Sequence, residues 1–261
     1  MSKKRLIPKL QLKSSLRDPN RMVLVISKQF SNYVEIGDAV SQSKIYQAQG
    51  ADELVFINID QRQNLVKKLC EIIRRVSEEI FMPITVGGGV KNEKDFKLLL
   101  SNGADKICIN TIAVENPKII KETSEKYGAQ CVVVSIDYAL NKCGDYKVFI
   151  HGGKTETQWN PLDWALQCED LGAGEILLTS IDRDGMKQGI DILITRQITQ
   201  QLKIPIITSG GCGEAAHFCD AYLLGGADAV SAGTFFAHRD QNFMQTRSQI
   251  YNAGVSIRVF K

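Results

Sequence analysis

The sequence lacks the features that mark membrane-spanning, secreted and metal-binding proteins. No stretch approaches the roughly 18 consecutive apolar residues of a membrane span, and the basic start at residues 2–5 leads into no apolar secretory segment. The seven cysteines show no CxxC spacing. The three histidines, His151, His217 and His238, lie far apart in the sequence. We therefore expect reduced thiols, a cytoplasmic location, no metal site and no bound cofactor.

Concentrated charge and linker segments are also absent. The 32 Lys and Arg residues against 29 Asp and Glu residues leave a net charge of +3. This is too weakly basic for a nucleic-acid-binding or membrane-surface protein. No Pro/Gly/Ser-rich stretch and no long charge block divides the 261 residues, and 44% of them are hydrophobic. We therefore predict a single domain over residues 1–261 with a large core.

Short apolar runs alternate along the chain with amphipathic stretches. The runs predict strands at residues 5–12, 54–59, 84–86, 106–109, 131–136, 175–180, 204–208 and 229–232. Most are continuously apolar, which is typical of parallel strands buried on both faces. Between them we predict helices at residues 65–80, 93–101 and 117–127. Residues 14–33 and 138–160 show no regular pattern, apart from a predicted additional hairpin strand at 147–151.

An internal repeat is the strongest organisational signal. Residues 51–60 (ADELVFINID) resemble residues 173–182 (AGEILLTSID) at an offset of 122 residues. The segment PITVGGG at 83–89 matches PIITSGG at 205–211 at the same offset. An ordered series of matches at one offset indicates that the sequence was built by duplication.

The repeat divides the chain into two similar halves, about 1–125 and 126–261. Each half carries four of the predicted strands and is predicted to form a (βα)4 unit. Eight parallel strands of this kind close into a barrel, an architecture that takes roughly 250 residues. The predicted fold is therefore an α/β fold, a (β/α)8 TIM barrel with a two-fold internal repeat.

Glycine clusters follow the third and seventh predicted strands, and the next strand in each half ends at a threonine. Active sites of such barrels lie at these strand ends. Glycine lets backbone N–H groups approach an anion, and helix starts favour negative charge. The predicted phosphate-binding residues are Gly89, Asn110 and Thr111 in the first half, and Ser209, Gly210, Gly211, Gly233 and Thr234 in the second. Two such sites imply a substrate with a phosphate at each end.

Several stretches resemble the cyclase subunit of imidazole glycerol phosphate synthase. The most specific are DELVF at 52–56, VGGG at 86–89 and GAGEILLTSIDRDG at 172–185, and the similarity runs from about residue 4 to 261. The resemblance implies a heterodimer with a glutaminase, whose ammonia passes through the barrel to a bis-phosphate substrate. The implied products are imidazole glycerol phosphate and an aminoimidazole carboxamide ribotide. The resemblance also adds Asp184 and Gly185 to the second phosphate site.

The resemblance implies a catalytic pair of aspartates that end the first and fifth strands. Asp137 matches the second of them, but Gln11 stands at the position of the first. An amide can form hydrogen bonds but cannot act as a general base. Two further positions depart from the family pattern: Ile26 aligns with a loop lysine, although Lys28 lies two residues on, and Asn58 replaces an aspartate.

The implied ammonia entrance is a ring of charges at the opposite end of the barrel. Its residues would be Arg5, Glu53, Lys106 and Glu175. Alternating charges in a ring can form mutual salt bridges around an opening. The alternative is that these charges only solvate the bottom of the barrel. Asp105, beside the ring, resembles a contact to the glutaminase.

The altered pair leaves several functions open. The first is the histidine-biosynthesis reaction on a phosphorylated small molecule. The second, which Gln11 favours, is a divergent paralogue that delivers ammonia to a sugar amidotransferase for acetamidino sugars of surface polysaccharide. The third is a non-catalytic scaffold that activates a glutaminase, and a sugar-phosphate isomerase is more distant. The sequence shows no nucleophile elbow of its own, so the ammonia would come from another chain.

Overall fold

Parallel strands pair in chain order until the last one returns to the first, so the sheet closes on itself. The computed structural model describes residues 3–60, 65–237 and 243–258. Its strands are β1 (Arg5–Ser14), β2 (Met22–Lys28), β3 (Ser31–Gly37), β4 (Leu54–Asn58), β5 (Ile84–Gly87), β6 (Lys106–Ile109), β7 (Val132–Leu140), β8 (Tyr146–Ile150), β9 (Thr155–Glu156), β10 (Glu175–Ser180), β11 (Ile206–Ser209) and β12 (Ala229–Ala232). The closed ring runs β1, β4, β5, β6, β7, β10, β11, β12 and back to β1, with every pairing parallel. The chain is therefore a (β/α)8 TIM barrel, which confirms the predicted fold.

Helices cover the outside of the ring. They are α1 (Ala39–Ala48), α2 (Leu65–Ser77), α3 (Glu93–Leu100), α4 (Thr111–Glu115), α5 (Lys118–Tyr127), α6 (Pro161–Asp170), α7 (Ile192–Thr199), α8 (Ala215–Leu223), α9 (Thr234–Ala237) and α10 (Phe243–Asn252). Local sequence explains their starts: Asn92 caps α3 by accepting the Asp95 N–H at 3.1 Å. In the described parts of the chain, no helix has both the length and the apolar character needed to cross a bilayer.

Strand side chains alternate between two hydrophobic layers. One face of each strand packs against the helices, where residues such as Leu6, Phe56 and Ile176 are fully buried. The other face fills the barrel with a ring of seven apolar side chains, which we call the apolar ring. Its members, each at most 3% exposed, are Ile7, Val55, Cys108, Val133, Leu177, Ile207 and Ala229. This packed interior sets the depth at which polar groups begin.

The two halves repeat in three dimensions as well as in sequence. Gly88 and Gly210 follow β5 and β11 with φ angles of +94° and +91°. A side chain on Gly88 would begin 2.0 Å from the carbonyl oxygen of Asn58, and one on Gly210 would begin 2.5 Å from that of Ser180. In each half the loop therefore crosses directly over the end of the preceding barrel strand, and only glycine fits there.

The prediction that residues 14–33 are irregular was wrong. This segment contains β2 and the first three residues of β3, which form an antiparallel hairpin that pairs with the end of β1. The sequence hid the hairpin because all of β3 is exposed and carries no apolar pattern. The turn also lacks glycine and instead places Gln29 and Phe30 at φ angles of +50° and +55°. The predicted hairpin strand at 147–151 is confirmed as β8.

Candidate active site

Above the apolar ring, towards the carboxyl ends of the strands, the barrel interior becomes polar. Because side chains alternate along a strand, the residue two positions after each ring member also faces inward. These residues include Lys9, Asn110, Ser135, Thr179, Ser209 and Ser231. The hydroxyls of Ser209 and Ser231 are buried, and no hydrogen-bond partner lies within the part of the chain that the structure describes. Two positions further along β1 and β7 stand Gln11 and Asp137, at the barrel mouth.

The order of the strands fixes how these residues face one another. β5 and β11, which carry the two glycine loops, are four places apart in a ring of eight and therefore lie opposite each other. β1 and β7 are midway between them on either side. Gln11 and Asp137 consequently flank a space that has one glycine loop at each end.

Asp137 is held by hydrogen bonds from two neighbours. Its Oδ2 accepts from the Asn110 side-chain amide at 3.2 Å, and its Oδ1 accepts from the Ser135 hydroxyl at 3.2 Å. The pKa of Asp137 is raised to about 6, chiefly because the barrel mouth shields it from water. The positive charge of Lys9 opposes this rise, and the negative charge of Asp184 adds to it. At neutral pH Asp137 is thus ionised, with a pKa suited to a general base.

A chain of polar contacts joins Gln11 to a second carboxylate. The Ser27 hydroxyl lies 2.9 Å from Asp184 Oδ2 and 3.0 Å from the side-chain oxygen of Gln11. Lys9 Nζ lies 3.6 Å from Asp184 Oδ1. One hydroxyl has one proton, so Ser27 donates to the carboxylate, and a Gln11 amide turned to present its N–H completes the chain. Gln11 therefore acts as a hydrogen-bonding link that does not titrate.

The first glycine loop has an unsatisfied donor beside it. The Asn58 side-chain nitrogen is buried and has no hydrogen-bond partner among the described residues. It lies 3.8 Å from the point where a side chain on Gly89 would begin, and Gly89 has a φ of +83°. A buried donor without a partner normally has a missing ligand or water, and here the adjacent backbone is open. An anion placed over Gly89 would satisfy it.

The predicted residues Asn110 and Thr111 lie at the same edge of the mouth. The Asn110 side chain bonds to Asp137 and to the Ser135 carbonyl oxygen, so it positions the carboxylate. The Thr111 hydroxyl accepts the backbone N–H of His151 at 3.1 Å. The turn after β8 thereby closes the side of the first loop.

The second glycine loop lines a small cavity. All seven residues predicted for this phosphate site surround it, and its lining consists of Asp184, Gly185, Ser209, Gly210, Gly211, Cys212, Ala232, Gly233, Thr234 and Phe235. The cavity measures about 10 Å³, which is room for about one water molecule. A phosphate therefore requires this cavity to widen.

The β2–β3 hairpin packs against the loop that carries Asp184 and Gly185, beside the second site. The Gln29 backbone N–H donates to the Asp184 carbonyl oxygen at 2.9 Å, and its side-chain amide donates to the Asp182 carbonyl oxygen at 2.9 Å. A side chain on Gly185 would begin 2.2 Å from the carbonyl oxygen of Ser27. The hairpin therefore fixes the position of this loop. Lys28, near the aligned family lysine, is exposed at the tip.

At the opposite end of the barrel, the four predicted charges form one closed cycle. Arg5 bonds to Glu53 at 2.8 Å and to Glu175, and Lys106 bonds to each glutamate at 3.0 Å. Burial acts to lower the pKa of Arg5, but the charges and hydrogen bonds of the two glutamates raise it overall. We call these four residues the charged ring. Beside it, Asp105 accepts the Ile84 N–H at 2.8 Å.

The described residues offer little to a metal ion or to chemistry elsewhere. Residues 3–60, 65–237 and 243–258 contain no group of three or more His, Cys, Asp or Glu side chains arranged to hold a metal. His238 lies outside the described residues. A larger cavity of about 630 Å³ borders Asp52, Phe81 and Arg247. There Asp52 pairs with Arg247 at 2.6 Å. We place the chemistry at the mouth because the unpaired donors and the perturbed carboxylate are there.

Two comparisons with known proteins identify the family. A family model described as histidine biosynthesis protein matches residues 5–242. A protein of Prochlorococcus marinus (strain MIT 9313), provisionally named imidazole glycerol phosphate synthase subunit hisF2, is 48% identical over 99% of both chains. This chain belongs to the cyclase subunit family of imidazole glycerol phosphate synthase. Proteins named imidazole glycerol phosphate synthase subunit HisF from Clostridium botulinum (strain Okra / Type B1) and Methanococcus vannielii are 40% and 39% identical over 99% of this chain and 100% of theirs.

Two residues of this cyclase-family mouth escaped the sequence analysis. Lys9 is an inward-facing cation, and Ser27 links the hairpin to the mouth. Asn58 was noted only as a departure from the family pattern and not as a donor at the first loop. The sequence did contain a signal for Lys9, because it lies an even number of residues from Arg5 and Gln11 on one strand and therefore faces the same side. Ser27 lay in the segment treated as irregular, so its partner Asp184 could not be inferred.

Proposed function

We propose that this chain is the cyclase-type subunit of imidazole glycerol phosphate synthase, a lyase that joins ammonia to a substrate with a phosphate at each end. One arrangement carries the proposal. Asp137 stands midway between two glycine loops that face each other across the barrel mouth. A ligand stretched between the loops would pass between Gln11 and this carboxylate.

Each loop would hold one phosphate. In the first half, the backbone around Gly89, the start of α4 at Thr111 and the unpaired Asn58 amide would receive one anion. In the second half, the cavity around Gly211 and Thr234 would widen and receive the other. Backbone and amide donors suit phosphate because they bind it without an opposing charge to desolvate.

The chemistry follows from the state of Asp137. When the lone pair of ammonia attacks a carbon atom, the nitrogen becomes positively charged and must lose a proton. Asp137 can take that proton at neutral pH, since its pKa is about 6. Asn110 and Ser135 hold the carboxylate in place while it does so.

We further propose that a glutaminase supplies the ammonia at the charged ring. The ring lies at the end of the barrel opposite Asp137, and the small side chains of Cys108 and Ala229 lie in the apolar ring between them. A neutral molecule such as ammonia crosses an apolar layer at far lower cost than ammonium. The charges would then orient a docked partner, and the barrel would act as one subunit of a heterodimer.

Turnover with ammonium salt tests the proposal directly. The purified chain, given ammonium chloride at alkaline pH and the bis-phosphate aminoimidazole substrate, should consume the substrate and release imidazole glycerol phosphate. Asp137→Asn should abolish this, whereas Asp145→Asn, at an exposed turn, should not. Activation of a partner glutaminase without any substrate loss would instead support a scaffold.

Gln11 supports a second candidate, a paralogue that passes ammonia to a sugar amidotransferase for acetamidino sugars. One titratable carboxylate is missing from the pair that the ordinary reaction uses, and the Ser27 contact holds the amide in its place. If this candidate is right, the wild-type chain will leave the bis-phosphate intact. Gln11→Asp should then introduce turnover, while Gln11→Asn should not.

A further inference from the structure

Lys9 is a buried cation that the proposed reaction leaves without a task. It is 7% exposed and lies on β1 between the apolar ring and the mouth. Burying an ammonium group is costly unless it is paired, and its only ion-pair partner among the described residues is Asp184, at 3.6 Å. A buried charge beside the reacting carboxylate calls for a functional explanation.

The strand geometry places Lys9 and Gln11 on one face. They are two residues apart on β1, so both point into the barrel across from Asp137. Compared with a strand carrying a carboxylate at position 11, β1 has an uncharged amide there and gains a positive charge one layer below. The side of the mouth facing Asp137 therefore carries a Lys9–Asp184 ion pair.

We propose that Lys9 is a positioning residue that keeps Asp137 in its ionised, proton-accepting form. Without Lys9, the carboxylate of Asp184 would have no cation beside it, and its negative charge would disfavour ionisation of Asp137. Lys9 Nζ, 3.6 Å from Asp184 Oδ1, offsets that charge. The inference rests on the proposed function only where it predicts effects on turnover.

The other groups around Asp137 do not offer this control. From β6 and β7 it receives neutral donors, Asn110 and Ser135, and the nearby Cys108 thiol has a raised pKa and stays protonated. Opposite Asp137 on β8 stands the uncharged Phe149. From β10 and its loop come the Thr179 hydroxyl and the carboxylate of Asp184. Lys9 is thus the one positive charge found acting on Asp137 within the described residues.

Titration of Asp137 by NMR tests the inference without any need for turnover. Aspartate labelled with 13C at the side-chain carboxyl gives one signal per residue, and the Asp137→Asn variant identifies the signal of interest. We expect Lys9→Met to raise the pKa of Asp137 by about one unit or more and Lys9→Arg to leave it near the wild-type value. Lys44→Met, which removes an exposed lysine, should change nothing.

A second variant keeps the test decisive if Lys9→Met does not fold. Asp184→Asn removes the competing carboxylate and leaves the whole charge of Lys9 to Asp137, so the pKa of Asp137 should fall. The inference would be overturned if the pKa of Asp137 rose or did not change in Asp184→Asn. It would also be overturned if that pKa did not change in a folded Lys9→Met variant.

The kinetic arm separates this inference from the proposed function. If the wild type consumes the bis-phosphate, the acid limb of its kcat/KM profile should lie near pH 6 and move up with Lys9→Met. A one-unit move lowers activity at pH 6 about fivefold, with KM little changed. If the wild type consumes no substrate, the proposed function fails, while the NMR result still decides the role of Lys9.

Discussion

At the scale of single residues, the mouth is governed by the charge of Asp137. Its surroundings disfavour ionisation, and its hydrogen-bond donors and Lys9 only partly compensate. A carboxyl group in this condition is useful as a base but costs stability when it is ionised. The same property therefore predicts an effect on activity and an effect on folding.

Asp137→Asn should stabilise the protein at high pH and not at low pH. The folded pKa of about 6 lies above the ordinary value of 3.8, so the folded state holds its proton longer than the unfolded state. Wild-type stability is consequently lost as pH rises from about 4 to 6, by up to about 3 kcal/mol. Urea unfolding at pH 8 should show the variant more stable by about 1–3 kcal/mol, with the difference vanishing near pH 4. Equal differences at both pH values would contradict the assignment.

At the scale of elements, the glycine loops depend on close backbone crossings. Gly88→Ala should destabilise the protein by about 3 kcal/mol or more, because the new methyl group would meet the Asn58 carbonyl oxygen at 2.0 Å. Gly144 is a matched control: its φ of +85° is similarly unfavourable for alanine, yet nothing lies within 4 Å. Gly144→Ala should cost only about 1 kcal/mol. Thermal unfolding of both variants measures the difference, and similar losses would show that the crossing is not what matters.

The β2–β3 hairpin should loosen when its link to the mouth is cut. Ser27→Ala removes the contact between Gln11 and Asp184, a loss of about 1–2 kcal/mol for a buried hydrogen bond to a charged group. Amide hydrogen exchange in β2 should then accelerate by about tenfold, while exchange in the barrel strands stays as in the wild type. Ser101→Ala, at the end of α3, serves as the control. Unchanged protection of β2 would mean that Ser27 does not hold the hairpin closed.

Sequence predicted the elements whose pattern is set by burial and missed those set by tertiary contact. The barrel strands were recognisable because parallel strands buried on both faces are continuously apolar, as in β4 and β10. β3 was not, since it is stabilised by pairing with β2 and is exposed along its length. Likewise the glycine loops were visible in sequence, but the pairing of Lys9 with Asp184 joins residues 175 positions apart. Only the closure of the barrel brings Lys9 and Asp184 together.

At the scale of the whole molecule, we propose that the two ends of the barrel have separate tasks. The mouth would bind and transform the substrate, and the charged ring at the other end would receive ammonia. Duplication explains the symmetry of the phosphate loops, whereas function explains the asymmetry between Gln11 and Asp137. The assignment of residues 1–261 to one domain and the ammonia route remain predictions.

The charged ring should respond strongly to the loss of one charge. Arg5→Met leaves Glu53 and Glu175, both nearly fully buried, with Lys106 alone, which should cost about 3–5 kcal/mol of stability. Adding Glu53→Gln restores the balance and should recover part of that loss. With a partner glutaminase present, both variants should lose glutamine-driven turnover more than ammonium-driven turnover. Equal losses of the two activities would argue against a role at the ammonia entrance.

The claim that two opposed loops clamp one doubly phosphorylated ligand is tested most directly by calorimetric titration with the bis-phosphate substrate. One molecule should bind per chain, and Thr111→Asp in the first half and Thr234→Asp in the second should each weaken binding at least tenfold, since each sets a carboxylate against one phosphate. A mono-phosphate fragment should be sensitive to only one of the two variants. Bis-phosphate binding that responds to one variant and ignores the other would contradict the two-ended clamp.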